Sequence, residues 1–189
     1  MRGEIEALRQ IERQVAALPT ALDDRPAIGS EIRVAIVVSL GAAAANAAAV
    51  TCTVSTPGLA FGSYDVYAAS ATNGNGTLTI QCLLDLTDNG EQRVRYTISL
   101  ATGLSNSFVQ RTMQSGTNKL GYNLFTSNSY SVVWGDGTGS TSTIAGAMTL
   151  NGGHPISTNT HTVYGRIPAL QDAAVSPLYL DAVIVTATY

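Results

Sequence analysis

The residues of this 189-residue chain whose types could do chemistry are few: Cys52 and Cys82, His154 and His161, Asp136 in a glycine turn, and scattered arginines. The two histidines stand seven apart with no glutamate between them, which is not a zinc-ligand spacing. Asp136, within Trp134-Gly-Asp-Gly137, has the look of a calcium-binding or catalytic carboxylate, but glycine tolerates positive φ and aspartate bonds its own backbone, so the motif reads as a turn. Trp134 has two readings, a core anchor or an exposed sugar-binding platform. Arg166 is a candidate for a fold-fixing pair with Asp181 or Asp172. No nucleophile elbow, phosphate loop or paired-glutamate arrangement occurs. With so few ionisable groups to converge on a cleft, the expectation is no enzyme, no cofactor and no metal site.

The cysteines make sense only once the compartment is known. Residues 34–40, VAIVVSL, form a short apolar run preceded by Arg33 and followed by glycine, alanines and Ala45-Asn46-Ala47. A positive residue, an apolar core and small residues at −3 and −1 are the parts of a secretory signal, with cleavage expected after Ala47 and a mature chain starting at Ala48. Read as a membrane anchor instead, residues 34–50 are at the lower limit of bilayer-spanning length. In an oxidising compartment, Cys52 and Cys82 are expected to form a structural disulfide. The alternative, a reactive thiol, lacks any neighbouring histidine or basic pair to activate it.

Residues 1–33 precede the signal. Ile5, Leu8, Ile11, Val15 and Leu18 recur at helical spacing, and Pro19 and Pro26 end the pattern. A coiled-coil or regulatory helix is one reading. The other, preferred here, is an over-called start or a long leader lost with the signal.

Beyond Thr51 the period changes to two. Residues 93–100 set Val94, Tyr96, Ile98 and Leu100 against Arg93, Arg95, Thr97 and Ser99, and residues 77–82 alternate similarly. Further strands are expected at 51–55, 121–125, 131–134, 143–150, 160–167 and 178–189, with turns at 73–76, 88–90, 135–137 and 151–153. Seven or eight short strands with such punctuation spell a β-sandwich. A net charge of −3 with cations scattered singly excludes a nucleic-acid binder.

The order of several segments resembles the spore coat protein U domain family. They are Cys52-Thr-Val-Ser55, Leu59-Ala-Phe-Gly-Ser-Tyr-Asp65, Gly76-Thr-Leu-Thr-Ile-Gln-Cys82, Tyr96-Thr-Ile-Ser-Leu100, Arg111-Thr-Met113, Leu120-Gly-Tyr-Asn-Leu-Phe125, Val133-Trp-Gly-Asp-Gly137, Thr162-Val-Tyr-Gly-Arg-Ile-Pro168, Tyr179-Leu-Asp181 and Val183-Ile-Val-Thr-Ala-Thr-Tyr189. The resemblance implies an all-β, immunoglobulin-like sandwich that lacks its last strand, behind an N-terminal helical and signal segment. It implies a secreted structural or adhesive subunit of a pilus, fimbrium or coat, of the archaic Csu type, active in adhesion and biofilm formation. The implied partners are a periplasmic chaperone, an outer-membrane usher and other subunits, through strand addition in which backbone hydrogen bonds give affinity and alternate side chains fill pockets. On this reading Val183, Ile184, Val185, Thr186, Ala187, Thr188 and Tyr189 form the strand that pairs with chaperone or subunit. The opposing reading is a complete sandwich whose last strand reaches the C-terminus: a self-complete secreted coat or carbohydrate-binding module that does not polymerise.

The expected organisation is therefore an extension over 1–33, a signal over 34–47 and a pilin-like domain over 48–189. After cleavage, four residues precede Cys52 and reach about 14 Å at most. That is too short to thread a neighbour's groove, so the chain is expected to accept a strand and donate none. Uncleaved, residues 34–50 would offer an alanine-rich stretch that fills pockets poorly.

Overall fold

The computed structural model describes residues 31–41, 50–84, 90–171 and 178–189. They hold ten strands: β1 Glu31–Gly41, β2 Val50–Ser55, β3 Leu59–Gly62, β4 Thr72–Leu84, β5 Gln92–Leu100, β6 Arg111–Ser115, β7 Asn118–Phe125, β8 Ile144–Leu150, β9 Ile156–Ile167 and β10 Leu178–Thr188. A 3-10 turn, Gly103–Ser105, precedes β6. No α-helix occurs among the described residues. The expected helical segment falls on residues 1–30, outside them.

Alternation built these strands. In β5, Val94, Tyr96, Ile98 and Leu100 are buried while Arg93, Arg95 and Thr97 are exposed. In β10, Tyr179, Asp181, Val183, Val185 and Ala187 are buried. Such a segment satisfies its backbone laterally and buries one face, which is what a sandwich requires.

The hydrogen-bonded path runs β1-β3-β4-β9-β7-β6-β10-β5-β8, with β2 on β4 and a further pairing of β1 with β10. Its strands enclose one shared core, an arrangement consistent with the expected β-sandwich. The long β4–β9 ladder extends from Thr72↔Ile167 to Leu83↔Ile156. Its buried residues Leu78, Ile80 and Val163 share one core with Ile98 and Leu100 of β5, Leu120 and Leu124 of β7, and Val183 and Val185 of β10. Pairings between named strands are antiparallel except β1–β10, which is parallel. Cys52 and Cys82 are register partners in β2 and β4 and form a disulfide. They stand 30 positions apart in sequence, and closing that loop removes about 3.7 kcal/mol of unfolded-state entropy.

Two expectations need correction. Residues 73–76, read as a turn, lie inside β4. Their glycines serve a close approach: a Cβ on Gly74 would lie 2.8 Å from the Ala60 carbonyl oxygen, and one on Gly76 2.9 Å from that of Gly58. Residues 131–134 form no strand. Isolated bridges from Val133 to Phe125 and from Trp134 to Ser142 hold them instead. β9 also begins earlier than expected, at Ile156. The turns at 135–137 and 151–153 stand, with Asp136 Oδ1 accepting from the amide and hydroxyl of Thr138 and Asn151 Oδ1 accepting from the amides of Gly153 and His154. Of the turn expected at 88–90, only Gly90 lies within the described residues.

Candidate functional site

β10 has two edges. One is taken by β5, from Val185↔Leu100 to Thr188↔Thr97, and by β6 at Leu180↔Gln114. The other is paired along its whole length with β1, from Glu31↔Leu178 to Gly41↔Thr188. On its far side β1 meets β3, through Ile32↔Gly62, Arg33↔Ala60 and Val34↔Leu59, with a register shift between Ile32 and Arg33. Without β1, the described body from Val50 onward has a gap between β3 and β10, and β1 occupies it. This slot is the candidate functional site.

Of the residues expected to form the pairing strand, Val183, Val185 and Ala187 are buried, Ile184 and Thr188 are exposed, and Thr186 and Tyr189 are half-buried. Tyr189 packs against the core. The expected signal is divided: residues 34–41 lie in β1, and Ala45, Ala47 and Ala48 lie outside the described residues.

Beneath β10 lies a polar group that sequence reasoning missed. Asp181 is 2% exposed, a burial that demands partners. Its Oδ2 accepts from the Tyr122 hydroxyl at 2.6 Å, and its Oδ1 accepts from the amides of Leu104 at 2.9 Å and Ala182 at 2.8 Å. Arg111, fully buried on β6, donates through Nε and Nη2 to the Ala101 carbonyl, through Nη2 to the Trp134 carbonyl and through Nη1 to Asn123 Oδ1. Burial lowers the Arg111 pKa, and the charges of Tyr122, Asp181 and Asp136 act in the opposite sense. Burial first, then the Asp181 carboxylate, push the Tyr122 phenol far above its ordinary range. These groups tie β6, β7, β10 and the loops at 101 and 134 together. They offer neither an open cleft nor a nucleophile beside a base, so their work is structural. An arginine on a strand gives no sign in sequence of whether it faces in or out, which is why Arg111 does not stand out from the other scattered cations.

The other singled-out residues have structural places. Trp134 is fully buried, and its Nε1 donates to the Ile98 carbonyl at 3.0 Å, so it is the core anchor and not a sugar platform. Of the two aspartates named for Arg166, Asp181 is engaged elsewhere and Asp172 lies outside the described residues. The Arg166 guanidinium donates to Asn73 Oδ1 and stacks 3.7 Å from the Tyr130 ring centroid. His161 Nε2 lies 3.0 Å from the Tyr96 hydroxyl, and burial lowers its pKa. No group of three or more His, Cys, Asp or Glu able to hold a metal occurs among the described residues, and no helix there is long and apolar enough to cross a membrane.

The family model for the Spore Coat Protein U domain matches residues 38–186. No curated protein matches the chain. Among solved structures, it is similar to a chain of the CsuC-CsuE chaperone-tip adhesion subunit pre-assembly complex from the archaic chaperone-usher Csu pili of Acinetobacter baumannii. Identity is 22%, with a TM-score of 0.43 over 74% of this chain and 40% of that one. This chain therefore spans under half the length of that neighbour.

Proposed function

Since the chain belongs to the Spore Coat Protein U domain family, we propose that it is an exported structural subunit of a surface assembly, a pilus or coat component built by strand complementation. The observation that carries this reading is the slot between β3 and β10. A sandwich whose residues from Val50 onward leave β10 with a free edge beside the core requires a strand from elsewhere. Backbone hydrogen bonds along such an edge give affinity, and alternate side chains give specificity. The rows of Val183, Val185 and Ala187 supply the buried half of that pattern.

The partners on this reading are a periplasmic chaperone that holds the slot during export, an usher, and other subunits of the assembly. The processed chain starts near Ala48, carries the Cys52–Cys82 disulfide and ends at the cell surface, where adhesion and biofilm formation are the roles such fibres serve. Catalysis has no part in it.

Co-export with a chaperone of the chaperone-usher class tests the proposal. The processed chain is expected to accumulate as a one-to-one complex with the chaperone and to be degraded without it. A processed chain that accumulates alone as a stable monomer, with its β10 amides protected from exchange, overturns it in favour of a self-complete module. The sugar-binding form of that alternative has lost its main support, since Trp134 is inside the core.

A further inference from the structure

We infer that residues 31–41 are an internal placeholder strand: in the unprocessed chain they close the slot in cis, and their removal opens it to a partner. The inference rests on the reading of the slot as a strand-accepting site, and it concerns what fills that site first.

The parity of the register carries it. Ile32, Val34, Ile36, Val38 and Leu40 are row partners of Tyr179, Asp181, Val183, Val185 and Ala187, the five buried positions of β10. Arg33, Ala35, Val37 and Ser39 are row partners of Leu180, Ala182, Ile184 and Thr186, none of them buried. The second ladder gives the same assignment at two rows, with Val34 opposite buried Leu59 and Arg33 opposite exposed Ala60, while Ile32, beyond the register shift, stands opposite exposed Gly62. Every core-side row of β1 thus carries an aliphatic residue, and Arg33 falls on a solvent-side row.

An export signal has no need of this. It requires a contiguous apolar run, indifferent to which residues are odd or even. A strand with one buried face requires strict parity, because a slip of one residue moves every side chain to the other face. The alternation also begins at Ile32, before the apolar run of the signal. Residues 31–37 precede the stretch matched by the family model, and residues 38–41 lie within it. Cleavage after Ala47 would remove all eleven residues of β1 at once. Export processing would then also be the step that exposes the acceptor edge. The same segment that the sequence suggested was too alanine-rich to complement a groove has all its alanines but Ala35 downstream of β1, at 42–45 and 47–49, and Ala35 falls on a solvent-side row.

The test uses the full 189-residue chain, made without export and oxidised so that Cys52–Cys82 forms. Ile36→Asp and Val38→Asp are expected to lower the thermal midpoint by roughly 5–10 °C and to strip exchange protection from the β10 amides at 183–188. Val37→Asp, equally damaging to a signal, is expected to leave both unchanged. Equal effects from all three, or none from any, overturn the inference. Should the aspartate variants fail to fold, a cysteine pair at the row partners Ala35 and Ala182 decides: Ala35→Cys/Ala182→Cys is expected to cross-link within one chain at any protein concentration, and Ala35→Cys/Thr188→Cys is not. A cross-link that joins two chains, or no cross-link, overturns closure in cis. The processed chain can still be captured by a chaperone in that event, so the proposed function would survive.

Discussion

The Tyr122 hydroxyl donates to Asp181 Oδ2 at 2.6 Å, a buried bond that ties β7 to β10 beneath the strand-accepting edge. β10 thus meets two different demands. Its odd-numbered rows Val183, Val185 and Ala187 complete an apolar core, while Asp181 anchors the same strand to its neighbours by charge-assisted hydrogen bonds.

Removing that bond should loosen β10. Tyr122→Phe is expected to cost about 1.5–3 kcal/mol, the usual worth of a buried hydrogen bond to a charged group. Asp181→Ala should cost more, because it strands the Tyr122 hydroxyl and the amides of Leu104 and Ala182. The Tyr122 pKa is raised from 10.0, so the folded phenol keeps its proton after the unfolded one has lost it. Its contribution is therefore complete below pH 10.0 and declines above it, and Tyr122→Phe should flatten that decline. Denaturant titrations from pH 8 to 11, with and without the variant, measure both effects.

Arg111 uses its planar fork on three separate acceptors, the carbonyls of Ala101 and Trp134 and the amide oxygen of Asn123. A lysine ammonium cannot reproduce that geometry. Arg111→Lys should cost roughly 2–4 kcal/mol, and Arg111→Ala, which orphans all three acceptors, should prevent folding. Near-ultraviolet circular dichroism of Trp134, whose carbonyl is one of the three, reports the loss directly.

Burial lowers the His161 pKa from 6.5, and the ring faces the Tyr96 hydroxyl, which Asn159 Nδ2 also approaches at 2.8 Å. The unfolded ring therefore binds a proton at a higher pH than the folded one. Stability should be whole above about 6.5 and fall as the pH drops below it. His161→Gln should remove this slope while leaving stability at pH 8 nearly unchanged. Because the ring is only partly buried, the effect is expected to be small. Thermal midpoints between pH 5 and 8 test it.

Within β4, Gly76→Ala should be destabilising by about 1–3 kcal/mol, because its Cβ would lie 2.9 Å from a backbone oxygen that cannot move independently. Asn75→Ala, on the exposed side of the same strand, should be neutral within about 0.5 kcal/mol. Equal stability of the two variants in urea would show that the chain at Gly58 and β3 does not cross close over Gly76.

Much of this protein was legible residue by residue. Alternation located β5 and sorted its faces correctly, because a strand of period two declares its buried side in its own sequence, and a β-branched run located β10. The two cysteines were paired correctly from compartment and count. What a local reading leaves out has one cause. Gly74 and Gly76 announce a turn by type, yet only the passage of β3 explains them as a close approach inside a strand. Arg111 has the type of a surface cation, yet the carbonyls that receive it come from residues 101 and 134, far along the chain. Residues 31–41 carry the hydrophobicity of an export signal, and nothing local reveals the slot between β3 and β10 into which their parity fits. The sequence alone thus determined which segments bury a face, since that is written in their period. The tertiary structure decided what each face meets, because partners of long sequence separation are chosen by the packing of the whole chain.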